Sequence, residues 1–355
     1  MKRMFLIFTI IALLVFPLFA QEDLDLEESL QELAGKGAQA YVSPIVSAFG
    51  ANMNSGWYDG APKAKILGLT AQLTIVTMLT PMDDAEYFSV DSEFKFSRSQ
   101  AADIVGGSSV GGIEDYVIDA VVNQEFLVGM NGPTIIGPED EYIKIVFPAQ
   151  TITVTTDVGD QEVDLNEYEL ILPVGGLVDD LEYLPLVVPQ LKVGTVYGTN
   201  FSLRYLPALA LTDLGDLNYL GFGFEHNPKV WLPVPLPVDL SLAFFTQTLE
   251  LGEIAKSTST TYGITASKTF GPKLFNITPY AGMMLESSKM EFKYEFDREL
   301  TETETVTEKI KFELEGENSA RFTLGSAFKI GFVKLNVDYS ISTFNTVAAG
   351  ISFVF

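Results

Sequence analysis

The sequence predicts an all-β fold, a transmembrane outer-membrane β-barrel of about fourteen antiparallel strands with a short amino-terminal helix placed to plug its lumen. Three observations predict it. The carboxy-terminal segment Val347–Phe355 reads V-A-A-G-I-S-F-V-F and ends on an aromatic residue. The first twenty residues read as an export signal. Between them, segments of alternating polarity recur, and beyond the signal no run of about 18 apolar residues occurs, so a chain that crosses a membrane must cross as strands.

At the amino end, Lys2 and Arg3 precede the apolar run 4–19, and Ala20 before Gln21 offers a small-residue cleavage point. Residues 1–20 are therefore expected to be a signal peptide, cleaved near Ala20. The next segment, 21–47, reads as a helix: Asp25 can cap it, Glu28 can close a capping box, and Leu26, Leu30, Leu33, Ala34 and Tyr41 recur at helical spacing. Pro44 restricts its continuation. Such a helix has two fates, to remain in the periplasm or to fold into the lumen; its apolar stripe needs burial, which favours the lumen and makes Leu26, Leu30, Leu33, Tyr41 and Pro44 the candidate plug.

The barrel is expected over 48–355. Phe49, Ala51, Met53 and Trp57 alternate with Gly50, Asn52, Asn54 and Tyr58, and Leu67, Leu69, Ala71, Leu73 and Ile75 alternate with Gly68, Thr70, Gln72 and Thr74. Further on, Leu240, Leu242 and Phe244 face away from Ser241 and Ala243, and Tyr262, Ile264 and Ala266 from Gly263, Thr265 and Ser267. Near the end, Phe322, Leu324 and Phe328 oppose Arg321, Thr323 and Lys329, while Val333, Leu335, Val337 and Tyr339 oppose Lys334, Asn336 and Asp338. This is the lipid-out, polar-in period of a barrel wall. It makes Asn52, Asn54, Tyr58, Thr70, Gln72, Thr74, Arg321, Lys329, Lys334, Asn336 and Asp338 candidate lumen-lining residues. In the last strand Val347, Ala349, Ile351, Phe353 and Phe355 share the lipid phase, with Val354 the exception on the other face. A terminal Phe in such a strand resembles the signal read by the barrel-assembly machinery, an expected partner.

Strand starts near Phe49, Lys65, Glu86, Tyr142, Glu162, Leu186, Asn200, Asp216, Val238, Ser259, Phe275, Val306, Phe332 and Asn345 give the even count that a barrel with both ends in the periplasm requires. That parity puts extracellular loops near 98–141, 173–185 and 297–305 and short turns such as Tyr197–Asn200, Gly271–Lys273 and Asp157–Gln161 in the periplasm. Asn227–Pro237 is an overlong periplasmic turn. The ribbons Phe275–Phe296 and Val306–Ile330 exceed the ten or so residues needed to cross, so their hairpin is expected to project beyond the membrane. No Pro-, Ser- or Gly-rich linker divides the chain, which favours one domain. The glycine-rich stretch Ala101–Gly112 reads as a loop, since it lacks the Lys-Ser/Thr ending of a phosphate-binding loop.

The 355 residues contain no cysteine, which removes disulfide and thiolate chemistry. The formal net charge is −25, and loss of the two signal cations makes the mature chain more acidic still. Such a balance disfavours nucleic acid as a partner. At an outer surface, carboxylates can instead share divalent cations with lipopolysaccharide, so outer-membrane lipid and lipopolysaccharide are the expected partners. His226 is the sole histidine. It has no nucleophile motif beside it and reads as a turn residue, so no enzyme is expected. The acidic runs Asp83, Asp84, Glu86 and Asp297, Glu299, Glu302, Glu304 fit no calcium-loop spacing and read as solvated charge; no metal site or cofactor is expected. Trp57, Trp231, Tyr58 and Tyr280 are aromatic residues of the kind that form girdles at membrane interfaces.

The stretch Pro44–Tyr58 (P-I-V-S-A-F-G-A-N-M-N-S-G-W-Y), Gly198–Leu206 and Leu220–Phe245, with G-F-G-F-E-H-N-P and L-P-V-P-L-P-V-D-L-S-L-A-F-F, resembles an uncharacterised family of exported barrel proteins of Bacteroidetes-type bacteria. In layout the chain is more remotely similar to the fatty-acid transporter family, fourteen-stranded barrels with an amino-terminal hatch. That family carries an N-P-A signature in the hatch, where this chain has Ser43-Pro44-Ile45, so no ligand residue carries over. The function expected is passive transport across the outer membrane. The solute is a small hydrophobic one if the lumen is plugged, or general polar solutes if it is open as in a porin. The alternative is a structural or adhesive anchor that displays acidic loops.

Overall fold

The computed structural model describes residues 24–355 except 83–84, 107–111, 177–180, 212–214, 232–236, 253–254 and 302–303. The export signal expected over 1–20 lies outside the described residues. In chain order the elements are α1 (Leu24–Asn54), β1 (Leu67–Pro81), β2 (Tyr87–Lys95), α2 (Arg98–Gly106), α3 (Glu114–Val122), β3 (Glu125–Pro133), β4 (Ile143–Phe147), β5 (Gln150–Thr156), β6 (Gly159–Leu165), β7 (Tyr168–Leu172), β8 (Tyr183–Val196), β9 (Thr199–Leu211), β10 (Gly215–His226), β11 (Asp239–Leu251), β12 (Ala255–Ser267), β13 (Phe275–Thr301), β14 (Glu304–Glu315), β15 (Ala320–Ile330), β16 (Val333–Ile341) and β17 (Thr346–Val354). They gather into two compact units. One comprises the chain up to Pro44 together with Asp83–Leu181; the other comprises Ile45–Met82 with Glu182–Phe355.

The second unit is a closed antiparallel barrel. Following the pairing from β1 through β8, β9, β10, β11, β12, β13, β15, β16 and β17 returns to β1, so the ring has ten strands. Closure comes from the last strand: Leu73 pairs with Phe353 and Leu79 with Val347. The alternation read from the sequence is the wall. Leu69, Leu73, Ile75, Phe222, Tyr262, Ile264, Leu324, Val337, Ile351 and Phe353 are exposed on the outside, while Gln72, Thr74, Ser241, Thr265, Thr323, Asn336 and Ser352 are buried inside. An apolar exterior around a polar interior is the arrangement that suits a bilayer, and a closed ring pairs its strands' backbone groups with one another.

Ten strands replace the expected fourteen, for identifiable reasons. The segment at Phe49 is helix, not strand, because α1 runs to Asn54. The segments at Glu86, Tyr142 and Glu162 are strands, but they pair in the other unit. The segment at Val306 is two strands: β14 pairs with the outer part of β13, and β15 pairs with its inner part. Pairing of β13 with β12 ends at Phe292, beyond which its partner is β14 alone, so the hairpin extends past the ring as its length requires. With ten strands the fourteen-stranded layout of the fatty-acid transporters does not apply.

Two barrel ends differ. At one lie the turns Tyr197–Gly198 and Gly331–Phe332, the 3-10 turn Pro228–Val230 and the terminal Phe355. Tyr197 and Gly198 both have positive φ, 47° and 70°, which matches the twist of a two-residue hairpin. At the other end lie Met82 and Glu182, joined by a 3.0 Å backbone hydrogen bond, and the root of the β13–β14 ribbon.

The first unit corrects the single-domain expectation. The range 83–181 is not a set of barrel strands and loops but a folded insertion between β1 and β8. A sheet in the order β2-β3-β4-β7 and a β5–β6 hairpin accompany α2 and α3. The turn Asp157–Gln161 belongs to that hairpin and is no barrel turn. Phe94, Phe96, Phe126 and Phe147 pack edge-on in its core. Of the stretch Ala101–Gly112 read as a loop, the first part is α2, and 107–111 lies outside the described residues. The hydroxyl of Tyr87 donates to Glu141 at 3.0 Å, and that carboxylate pushes the phenol above its ordinary value. Residues 83–181 hold 21 of the chain's 47 acidic residues and three of its 22 basic ones, so the acidity belongs mainly to this insertion.

Candidate functional site

The lumen of the barrel is filled by the chain's own residues 45–62. This segment is rich in small residues, S-A-F-G-A-N-M-N-S-G, which lets a helix stand inside a ten-stranded ring. Gly50 lies so close to Ser288 that any Cβ would clash with it. The helix stops where Gly56, at φ 66°, turns the chain out of helical geometry.

A helix ending in a closed space leaves its last carbonyls without partners and a negative dipole end. Two arginines of the wall answer both. Arg204 of β9 is fully buried and donates from Nη2 to Ser55 O at 2.8 Å, from Nη1 to Met53 O at 3.3 Å and from Nε to Gln190 at 2.8 Å. Arg321 of β15 donates from Nη2 to Ala51 O at 2.7 Å, pairs with Glu286 at 2.9 Å, and bonds the hydroxyl of Ser55. The guanidinium of Arg204 also lies 3.9 Å over the ring of Trp57, which stacks on Phe245 at 4.8 Å.

Below the helix the chain descends through further wall contacts. The amide of Gln190 donates to Trp57 O at 3.3 Å. Tyr58 packs among Phe245, Tyr280 and Met284. Gly282 and Gly221 make this possible, because a Cβ at Gly282 would strike the ring of Tyr58 and one at Gly221 would crowd that of Trp57. Asp59 then meets Lys334 at 2.6 Å, Lys192 at 3.2 Å and the amide of Gln72 at 2.6 Å, and Lys192 reaches Glu225 at 3.0 Å. Two acids and two lysines compensate one another, so burial strands no net charge. Ala61 N donates to Ser267 and Asn227 donates to Pro62 O at the last turn.

Of the five residues expected to form the plug, Tyr41 and Pro44 are described by the structure, and both fall in the first unit. Tyr41 is buried but in the first unit, where its hydroxyl donates to Gly175 O and its carbonyl accepts from Ile135 N. Pro44 ends the first of that unit's two segments and lies inside α1 rather than ending it. The side chains of Leu26, Leu30 and Leu33 lie outside the described set.

Among the candidate lumen-lining residues, Gln72, Thr74, Arg321, Asn336 and Asp338 are buried on the inner face, Lys334 binds Asp59, and Lys329 is half-buried on the same phase. Thr70 is exposed near the strand's end and donates to Gly194 O. Asn52, Asn54 and Tyr58 belong to the plug, not the wall. Asn52 donates to Leu184 O at 2.7 Å, and Asn54 accepts from Gln247 and Ser259 at 2.9 and 2.7 Å. Arg204 and Lys192 are not singled out by the sequence reading, nor is Glu225 as a lumen residue; each is a charge in an apolar strand at the inward phase, which is the signal that marks them.

Trp57, Tyr58 and Tyr280 form part of the lumen core instead of a girdle. Trp231 does sit at the turn end, stacked on Tyr197 at 5.5 Å, and its indole donates to Nε2 of His226, whose Nδ1 lies 2.9 Å from Thr199. Both histidine nitrogens are thereby engaged in a turn. In the acidic runs, Asp83, Asp84 and Glu302 lie outside the described residues.

The chain matches solved structures at low identity and low TM-score. It is similar to a loop-deletion mutant of OmpT, an outer membrane protein of Vibrio cholerae, at 8% identity and a TM-score of 0.23, covering 81% of this chain and 98% of that one. It is similar to the beta domain of the Bordetella autotransporter BrkA at 9% identity and a TM-score of 0.21, covering 80% and 99%. A Rh. blastica porin matches at 10% identity and a TM-score of 0.15, covering 81% and 100%. No curated protein matches. The model of a family of unknown function, DUF6588, matches residues 1–355, and the chain belongs to that family.

Proposed function

We propose that this protein is an outer-membrane anchor with a closed lumen, a barrel stopped by its own chain that holds the folded insertion 83–181 at the membrane. One observation carries this reading. The stopper is knitted to the wall from end to end by buried charged groups, from Arg321 on Ala51 O to Lys334 on Asp59. Removing one member of such a buried pair leaves an uncompensated charge at a cost of about 3–5 kcal/mol, so thermal fluctuation alone leaves the lumen shut. The exposed apolar belt supports lipid as the partner of the outer wall.

A second reading, passage of small solutes past a plug that moves, is supported by the wall itself. Ser241, Ser257, Ser259, Thr261, Thr265, Thr323, Ser340 and Ser352 all face inward, a surface that water can wet once the plug has gone.

Conductance in planar bilayers separates the two. The intact chain is expected to be silent, deletion of 21–44 to leave it silent, and deletion of 21–62 to produce stable open steps, with barrel formation checked by heat-modifiable mobility. Open steps from the intact chain would sink the anchor reading.

A further inference from the structure

The contacts of the plug are ordered along the barrel axis. Ser47 Oγ accepts from Glu317 N, and Ala48 O from Thr80 Oγ1, both at the end that carries Met82, Glu182 and the root of the β13–β14 ribbon. Trp57 meets Phe245 and Gly221 at mid-height. Asp59 meets Lys334 and Lys192, and Pro62 O meets Asn227 beside the short turns. Lys63 then pairs with Asp239 at the turn rim, and β1 starts upward from there. The polypeptide thus traverses the lumen once, from the ribbon end to the turn end.

The chain passes between the two units at 44–45, 82–83 and 181–182. On the barrel side all three crossings lie at the ribbon end. Met82 is bonded to Glu182, and Ala48, one helical turn from Ile45, is bonded to Thr80. Short turns and the chain terminus Phe355 occupy the opposite end, with Phe355 N donating to Ala71 O. In bacterial barrels, short turns face the periplasm and longer excursions face outward.

We infer that the arm 24–44 and the insertion 83–181 both lie on the outer side of the membrane, and that the arm arrives there through the lumen of its own barrel. The barrel is then a conduit during assembly and a closed anchor afterwards, residues 45–62 being the last stretch to pass and the one retained. A small-residue helix suits that route, since it is the slimmest form in which a chain satisfies its own backbone groups inside a narrow ring. The inference rests on reading the barrel as an outer-membrane anchor.

Single-cysteine labelling tests it directly, because the chain has no cysteine of its own. The sites are Gly35→Cys in the arm, where an added Cβ meets nothing within 4 Å, Val158→Cys in the insertion, 85% exposed, and exposed Thr343→Cys and Lys273→Cys at the two barrel ends. Cells carrying each variant in the outer membrane are treated with a membrane-impermeant maleimide before and after permeabilisation, and denatured samples confirm that every thiol is present. The expected pattern is labelling of Gly35→Cys, Val158→Cys and Thr343→Cys on intact cells, with Lys273→Cys labelled only after permeabilisation. Any other pattern overturns the inference; in particular, a Gly35→Cys that stays silent beside a labelled Thr343→Cys removes the passage of the arm. Failure here is distinct from failure of the anchor reading, which shows as conductance with the labelling pattern intact.

Discussion

Arg204 concentrates the chemistry of the lumen in one side chain. It carries the five donors of a guanidinium into a fully buried position, spends three bonds on Gln190, Met53 O and Ser55 O, and lays its flat face on Trp57. Each charge-assisted bond contributes about 1.5–3 kcal/mol, and the geometry is available to Arg but not to Lys, whose ammonium is a point charge without a stacking face. The protein has two tryptophans, Trp57 fully buried and Trp231 63% exposed, so a Trp231→Phe variant reports the plug by fluorescence alone. In that background Trp57 emission is expected to be blue-shifted and insensitive to iodide. Adding Arg204→Lys is expected to red-shift it and make it quenchable several-fold more readily, while heat-modifiable mobility stays that of a closed barrel. Unchanged quenching would show that the arginine does not hold the plug.

The helix-to-turn segment shows what could be read from the sequence and what could not. Barrel strands such as β16 and β17 were legible because a wall between lipid and a polar interior imposes a period of two on every residue. Segment 45–58 touches wall on all sides, so no single face is marked. Phe49, Met53 and Trp57 recur at intervals of four, a spacing that fits a strand's even phase as well as one side of a helix. The insertion misled differently: β2 and β4 alternate like barrel strands, and which strands they pair with is decided by long-range packing that alternation does not encode. Gly282, inward on β13, is the socket for Tyr58. Replacing Gly282 with Leu is therefore expected to expel that ring, giving open-channel conductance where the parent is silent. The strand itself remains paired, since Gly282 bonds its neighbours through backbone alone. Persistent silence with a folded barrel would show that the socket is dispensable.

At the scale of the whole molecule, charge and architecture divide along the same line. Residues 83–181 are strongly acidic, whereas the barrel segments 45–82 and 182–355 carry 20 acidic and 16 basic residues, close to balance. Balance suits a wall whose charges are paired inward, and acidity suits a water-facing module kept soluble by self-repulsion. The two are also separable in the strand ladder: β1 and β8 pair continuously from Ala71–Val193 to Pro81–Tyr183, and Met82 is bonded directly to Glu182. Those ends stand as close as in an ordinary hairpin, which takes a loop of about two to five residues. Replacing 83–181 with such a loop is therefore expected to leave a barrel that assembles, migrates as heat-modifiable and remains closed in bilayers, while its net negative charge falls by most of the chain's total. Retained closure would assign the stopper to 45–62 alone; a variant that assembles yet conducts would show that the insertion helps to hold the plug and that the two units act as one device.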